Sequence, residues 1–199
     1  YAELFDVRCG IEIHNPETPG SPCMQKYLEV IKRTGSRYLG FVPDFGFLAI
    51  HPNRPQWLKA LEAGVKEEHL ELAARLRREG VSQEEATRKV MEAGASPAIM
   101  TALAGMFGFV QFHDEKDLPE LLQELKDILP YSFECHGKFH YLDEDCHEAS
   151  IPYEEILPLL VEEGFDGYLI CEYEDELYCG GTEFTKRQMI LEKKVLGIQ

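Results

Sequence analysis

Positive charge is scarce in this chain: 20 Lys and Arg stand against 36 Asp and Glu, a formal net charge of −16 over 199 residues. Such a balance repels phosphate backbones and anionic lipid surfaces, so it argues against a nucleic-acid partner and against a membrane partner. A cationic or neutral ligand fits better. Long apolar runs are also missing. No stretch approaches the roughly 18 consecutive apolar residues of a membrane span, and Tyr1-Ala2-Glu3-Leu4 carries no basic n-region. The expectation is a soluble, cytoplasmic protein. The six cysteines include no C-x-x-C pair and lack the dense spacing of a disulfide scaffold. They fit a reducing compartment, with Cys9, Cys135 and Cys171 expected as small buried hydrophobes on strands. Internal repeats and low-complexity tracts are absent, and Trp57 is the single tryptophan. What remains is a composition 44% hydrophobic and 28% charged, enough apolar residue for a sizeable core.

Short apolar runs at 7–13, 38–43, 132–139 and 167–173 read as buried strands, with 108–112 a weaker one, and helical patterns follow them. The predicted helices cover 23–34, ending at Gly35, then 117–129, 151–163 and about 182–196. This alternation predicts an α/β fold with a parallel sheet or barrel. Residues 52–112 break the rhythm with a helical insertion. It comprises a Leu/Ala/Glu/Arg-rich run from Gln56 to Glu79, a capping-box start at Ser82-Gln83-Glu84-Glu85 and a short helix opened by Ser96-Pro97.

Side chains alternate faces along a strand, so parity sorts each run. One face collects Arg8, Gly10, Glu12 and His14; another collects Tyr38, Gly40, Val42 and Asp44. The third strand offers Ser132, Glu134, His136, Lys138 and His140, and the fourth Tyr168, Ile170, Glu172 and Glu174. Polar groups thus gather toward the C-terminal ends, where parallel α/β folds place their sites. Desolvating several carboxylates together is costly unless a cation neutralises them. Glu12, Asp44, His136 and Glu172 form an oxygen-rich ligand set suited to a divalent metal, Mn²⁺ first and Mg²⁺ or Co²⁺ as alternatives. His14 reads either as a general acid/base or substrate-binding donor or as a residue that orients a ligand. Lys138 reads as a cation that polarises a substrate oxygen or balances the carboxylates. His140 and Glu174 lie farther out, as candidate substrate-binding residues at the rim.

The motifs Gly10-Ile11-Glu12-Ile13-His14-Asn15-Pro16, Pro43-Asp44-Phe45-Gly46, His136-Gly137-Lys138-Phe139 and Gly167 to Glu174 resemble the last four strands of the sugar phosphate isomerase/epimerase superfamily, the xylose-isomerase-like TIM barrels. Ala149-Ser150-Ile151-Pro152-Tyr153-Glu154-Glu155-Ile156 is similar to it as well. That resemblance implies strands 5–8 of a (β/α)8 barrel, metal ligation by Glu12, Asp44, His136 and Glu172, and catalytic roles for Glu12 and Glu172 with His14 and Lys138 beside them. It also implies isomerase or epimerase chemistry, with proton transfer next to a sugar carbonyl through an enediolate. Ketose 3-epimerases of the superfamily carry a histidine soon after the Asp and an arginine after the His, whereas Phe45-Gly46-Phe47, Lys138 and His140 stand here. Pro43-Asp44-Phe45-Gly46 and the long insertion are more similar to a subgroup that includes catalytic subunits of C-glycoside deglycosidases. For that subgroup the implied reaction is β-elimination on a 3-oxo-glycoside, usually beside a small partner subunit. A non-catalytic sugar-binding subunit is the third alternative.

A complete barrel takes roughly 250 residues. The resemblance therefore implies that residues 1–199 are the second half of one domain. An N-terminal half-barrel is expected from another chain or an upstream segment, with homo-oligomerisation an alternative.

Overall fold

The computed structural model describes residues 1–108, 112–175 and 177–198. After a single turn, α1 (Ala2–Phe5), the order is β1 (Cys9–Ile13), α2 (Pro22–Thr34), β2 (Leu39–Pro43), a helical block, α7 (Leu118–Ile128), β3 (Glu134–Phe139), α8 (Tyr153–Glu162), β4 (Tyr168–Tyr173) and α9 (Gly181–Leu196). The fold is mixed α/β, as the sequence predicts. The block contains α3 (Arg54–Glu62), α4 (Glu67–Arg78), α5 (Gln83–Glu92) and α6 (Met100–Phe107). The run from Gln56 to Glu79 is therefore two helices rather than one, parted at Gly64, whose φ of 80° lies in the left-handed region that favours glycine. Ser82 caps α5 as its sequence implies, its Oγ accepting from Glu85 N at 3.3 Å. Of the weaker strand read at 108–112, residues 109–111 lie outside the described residues.

Among the described residues the four strands pair in parallel. β1 pairs with β2 in the register Glu12↔Val42, and β3 with β4 in the register Lys138↔Glu172. Bridges Phe41↔Ser132 and Asp44↔His136 join β2 to β3, so the strands lie side by side in chain order. Each parallel connection runs through helix, the only economical route between parallel neighbours. One face of the sheet is sealed: Ile13, Phe41, Cys135 and Phe139 are buried in a core shared with Leu28, Leu125, Ile156 and Leu191 of the helices. The other face carries the polar parity set. Gly40 lies there because a Cβ would meet the Tyr131 carbonyl oxygen at 2.4 Å. Among the described residues the far edges of β1 and β4 pair with nothing, and Val7, Tyr168 and Ile170 are exposed beside them. That placement also corrects the expectation for Cys9, which is exposed on its edge strand, while Cys135 on an inner strand is buried and Cys171 half-buried.

Between β3 and α8 the chain buries Glu148, whose Oε2 accepts from Ser150 N at 2.7 Å and from Ile151 N at 2.5 Å. Burial pushes this carboxyl up to about 7 against the opposing pull of the N–H groups. Between its ordinary value of 4.5 and about 7, the folded protein keeps a proton that the unfolded chain has lost. Its contribution to stability therefore falls as pH rises through that window. Urea unfolding at a series of pH values should show a shallower decline for Glu148→Gln than for the wild type between those limits. Identical slopes would remove Glu148 from this account.

Candidate metal centre and its lysine bridge

Strand register decides which polar groups meet. Glu12 near the end of β1, His136 in β3 and Glu172 in β4 converge, and one ligand atom from each lies within 4.8 Å of the others. His136 Nδ1 is 2.9 Å from Glu12 Oε1 and 3.1 Å from Glu172 Oε2. A single imidazole nitrogen carries at most one proton and satisfies only one of these oxygens. Glu172 Oε2 is buried and accepts no hydrogen bond. Buried acceptors are nearly always partnered, so this oxygen is open to a further donor or a cation. Two carboxylates and one imidazole are a hard, oxygen-rich donor set that fits a divalent ion.

Asp44, predicted as a fourth ligand, is engaged elsewhere. Its Oδ1 accepts from Gly46 N at 2.8 Å, and its Oδ2 pairs with Lys138 Nζ at 2.6 Å. Lys138, 3% exposed, also reaches Glu174 Oε2 at 2.6 Å and Glu172 Oε1 at 3.4 Å. Burial pulls the lysine's proton affinity down, but the attraction of Asp44 and Glu174 overcomes it and the net shift is upward. Lys138 is thus a fixed ammonium linking the carboxylates of β2 and β4. Glu174 is held below the usual carboxylate range: burial raises it, and Lys138 more than reverses that.

His14 stands half-exposed on the open side, Nε2 3.8 Å from Asp44 Oδ2 and 4.0 Å from Glu174 Oε2, with Nδ1 2.7 Å from the Asn15 carbonyl oxygen. This geometry suits a proton carrier in contact with solvent. His140 does not join the cluster. Its ring is buried, Nδ1 lies 2.6 Å from the Glu174 carbonyl oxygen, and burial lowers its proton affinity. It anchors the backbone that carries Glu174. Two groups were missed by sequence reasoning. Glu134, 3.9 Å from His136 Nε2, shares the site-facing parity and was legible. Tyr153, whose hydroxyl donates to the Lys138 carbonyl at 2.8 Å from the opposite face, left no signal beyond its place in a buried helix.

Removing the lysine tests this electrostatic frame. Lys138→Met leaves Asp44 buried with an uncompensated charge and should cost about 3–5 kcal/mol in chemical denaturation. The double variant carrying Asp44→Asn as well should recover much of that loss, giving a coupling that a merely local packing role of Lys138 would not produce.

No family model matches the chain. It is 31% identical over 191 residues to a 3'-dehydrocarminate deglycosidase alpha subunit of Microbacterium sp, covering 87% of this chain and 51% of that protein. It is 29% identical over 178 residues to a C-glycoside deglycosidase alpha subunit of Arthrobacter globiformis, 89% of this chain and 50% of the relative. A C-glycoside deglycosidase alpha subunit of Microbacterium trichothecenolyticum is 27% identical over 195 residues. The chain spans about half the length of these curated relatives, and its similarity is to deglycosidase alpha subunits.

Proposed function

We propose that this chain is the metal-binding, catalytic half of a deglycosidase-type lyase that cleaves an oxidised C-glycoside by β-elimination. The observation that carries the reading is the convergence of Glu12, His136 and Glu172 around the orphaned Glu172 Oε2. The names of the relatives favour elimination over the isomerase or epimerase reaction that the wider superfamily implies. Glu12, His136 and Glu172 hold a divalent ion, with Mn²⁺ the first choice, and Asp44 stands behind Lys138 as its counter-charge. When bound, the ion supplies Lewis-acid stabilisation of negative charge on the sugar oxygens.

The remaining steps fall to the chain's own groups. A carboxylate of the cluster removes the proton from the carbon next to the sugar carbonyl. The electron pair forms the ring double bond as the bond to the aglycone carbon breaks. His14, open to solvent, relays that proton to the departing carbon, so the products are an unsaturated keto sugar and the protonated aglycone. Lys138 keeps a positive charge beside Glu172 and Glu174 throughout.

We further infer that the four parallel strands are strands 5–8 of a (β/α)8 barrel and that residues 52–112 are a helical insertion in it. Two unpaired parallel edges and the exposed Tyr168 and Ile170 support a second half that pairs with both edges. The alpha-subunit names of the relatives support a further partner subunit in the assembly.

Calorimetric titration with Mn²⁺ should give one site per chain. Glu172→Gln should weaken it by more than the roughly 10–100-fold lost when only an outer partner of a ligand is changed. With the complete protein, Mn²⁺ and a 3-oxo-C-glycoside, free aglycone should appear, and Glu172→Gln should abolish it. An isomerised sugar with no aglycone would instead favour the isomerase reading, and undiminished activity in the variant would remove Glu172 from the site.

A further inference from the structure

His136 stands at the centre of the metal cluster, and its two ring nitrogens meet different surroundings. Nδ1 is turned toward the carboxylates of Glu12 and Glu172, at 2.9 and 3.1 Å. On the other side of the ring, Nε2 lies 3.9 Å from Glu134 Oε1. Glu134 and His136 are two residues apart in β3, so strand alternation puts both side chains on one face of the sheet. The lateral neighbours of His136 offer Nε2 no acceptor. Asp44, bridged to it from β2, is engaged with Gly46 N and Lys138, and Ile170, its partner in β4, is apolar. Among the described residues Glu134 is the one acidic group paired with that nitrogen.

The pairing is exclusive from the other side as well. The Glu134 side chain makes no further hydrogen bond or ion pair among the described residues. Arg8, the cation of the same parity just before β1, stacks instead 5.2 Å from the Phe133 ring centre. A carboxylate beside the imidazole that already faces Glu12 and Glu172 adds negative charge with no lysine or arginine to balance it, which is unfavourable until a cation is held there. The nitrogens then divide their roles. An imidazole that ligates through one nitrogen is neutral and carries its proton on the other. Nδ1 is the nitrogen that faces the two carboxylates, so the proton belongs on Nε2, where Glu134 meets it. A carboxylate opposite that N–H favours this tautomer, holds the ring in orientation and makes Nδ1 a stronger electron-pair donor.

We propose that Glu134 is a positioning residue for the metal centre. Resting on the metal-binding reading above, its carboxylate fixes the His136 proton on Nε2, commits Nδ1 to the ion and raises the affinity of the site. It acts through the imidazole, from the side of the ring away from Glu12 and Glu172.

Calorimetric titration of the full chain with Co²⁺ measures the affinity. Proton NMR of the Co²⁺-loaded protein reads the ring N–H itself, as a paramagnetically shifted resonance present in H₂O and absent in D₂O. Glu134→Gln should weaken Co²⁺ by roughly 10–100-fold and broaden that resonance through faster exchange with water. Glu134→Asp, which keeps the charge on a shorter arm, should fall between, and it carries the test if the amide variant folds poorly. Glu29→Gln removes the same charge from an exposed position on α2 and should change neither reading. An equal loss of affinity in Glu29→Gln and Glu134→Gln, or an N–H resonance that Glu134→Gln leaves unchanged, would overturn the proposal. If the wild type binds no Co²⁺, the metal reading fails and the proposal with it. If the wild type binds one Co²⁺ and Glu134→Gln binds it as tightly, the proposal alone fails.

Discussion

Lys138 holds an ammonium group almost fully withdrawn from water, and it is stable there only because Asp44, Glu174 and Glu172 surround it. The dependence is mutual, since Asp44 is itself completely buried and pairs with no other lysine or arginine among the described residues, His14 being its one further basic neighbour there. These contacts fasten the C-terminal ends of β2, β3 and β4 to one charge. Tyr153 grips the carbonyl of the same residue from the helical side, and Asn15 Nδ2, from the loop after β1, donates to the Gly46 carbonyl at 2.7 Å. Four strand ends are thereby brought to a common point. The convergence of Glu12, His136 and Glu172 is a consequence of that fastening, and the lysine lowers the repulsion that the carboxylates would otherwise exert on each other.

Period-two alternation makes the strands and the polar face readable in the sequence. An apolar set such as Ile11, Ile13 and Phe41 opposing Glu12, His14 and Asp44 has few other solutions in a parallel sheet. Pairing within the polar face was not readable. That Asp44 meets Lys138 depends on the offset that sets Asp44 beside His136 and Lys138 beside Glu172, and nothing local to either strand encodes that offset. Position across the sheet was equally hidden, so Cys9 and Cys135, alike in local pattern, end up exposed and buried. Glu148 illustrates a different blindness. An acid in a loop reads as solvated, and only the packing of the β3–α8 segment removes its water while turning two backbone N–H groups toward it.

The helical block and the sheet differ in the groups they expose. The strand ends present carboxylates and imidazoles, whereas a cavity beside the block is lined by Trp57, Arg54 and Arg78 in a chain that is strongly acidic overall. α3 begins only a short segment beyond Asp44, and the bond from Ile50 N to the Ser150 carbonyl ties that segment to the chain after β3.

The bare edges of β1 and β4 have a bearing on colloidal behaviour. An unpaired parallel strand is a template on which another copy can add its own, and exposed Val7, Tyr168 and Ile170 make such addition adhesive. The net charge of −16 opposes it by keeping copies apart. That repulsion weakens beyond a screening length of about 10 Å at 0.1 M salt and shortens further as salt is added. The barrier between copies at these edges is therefore electrostatic, and concentrated salt lowers it.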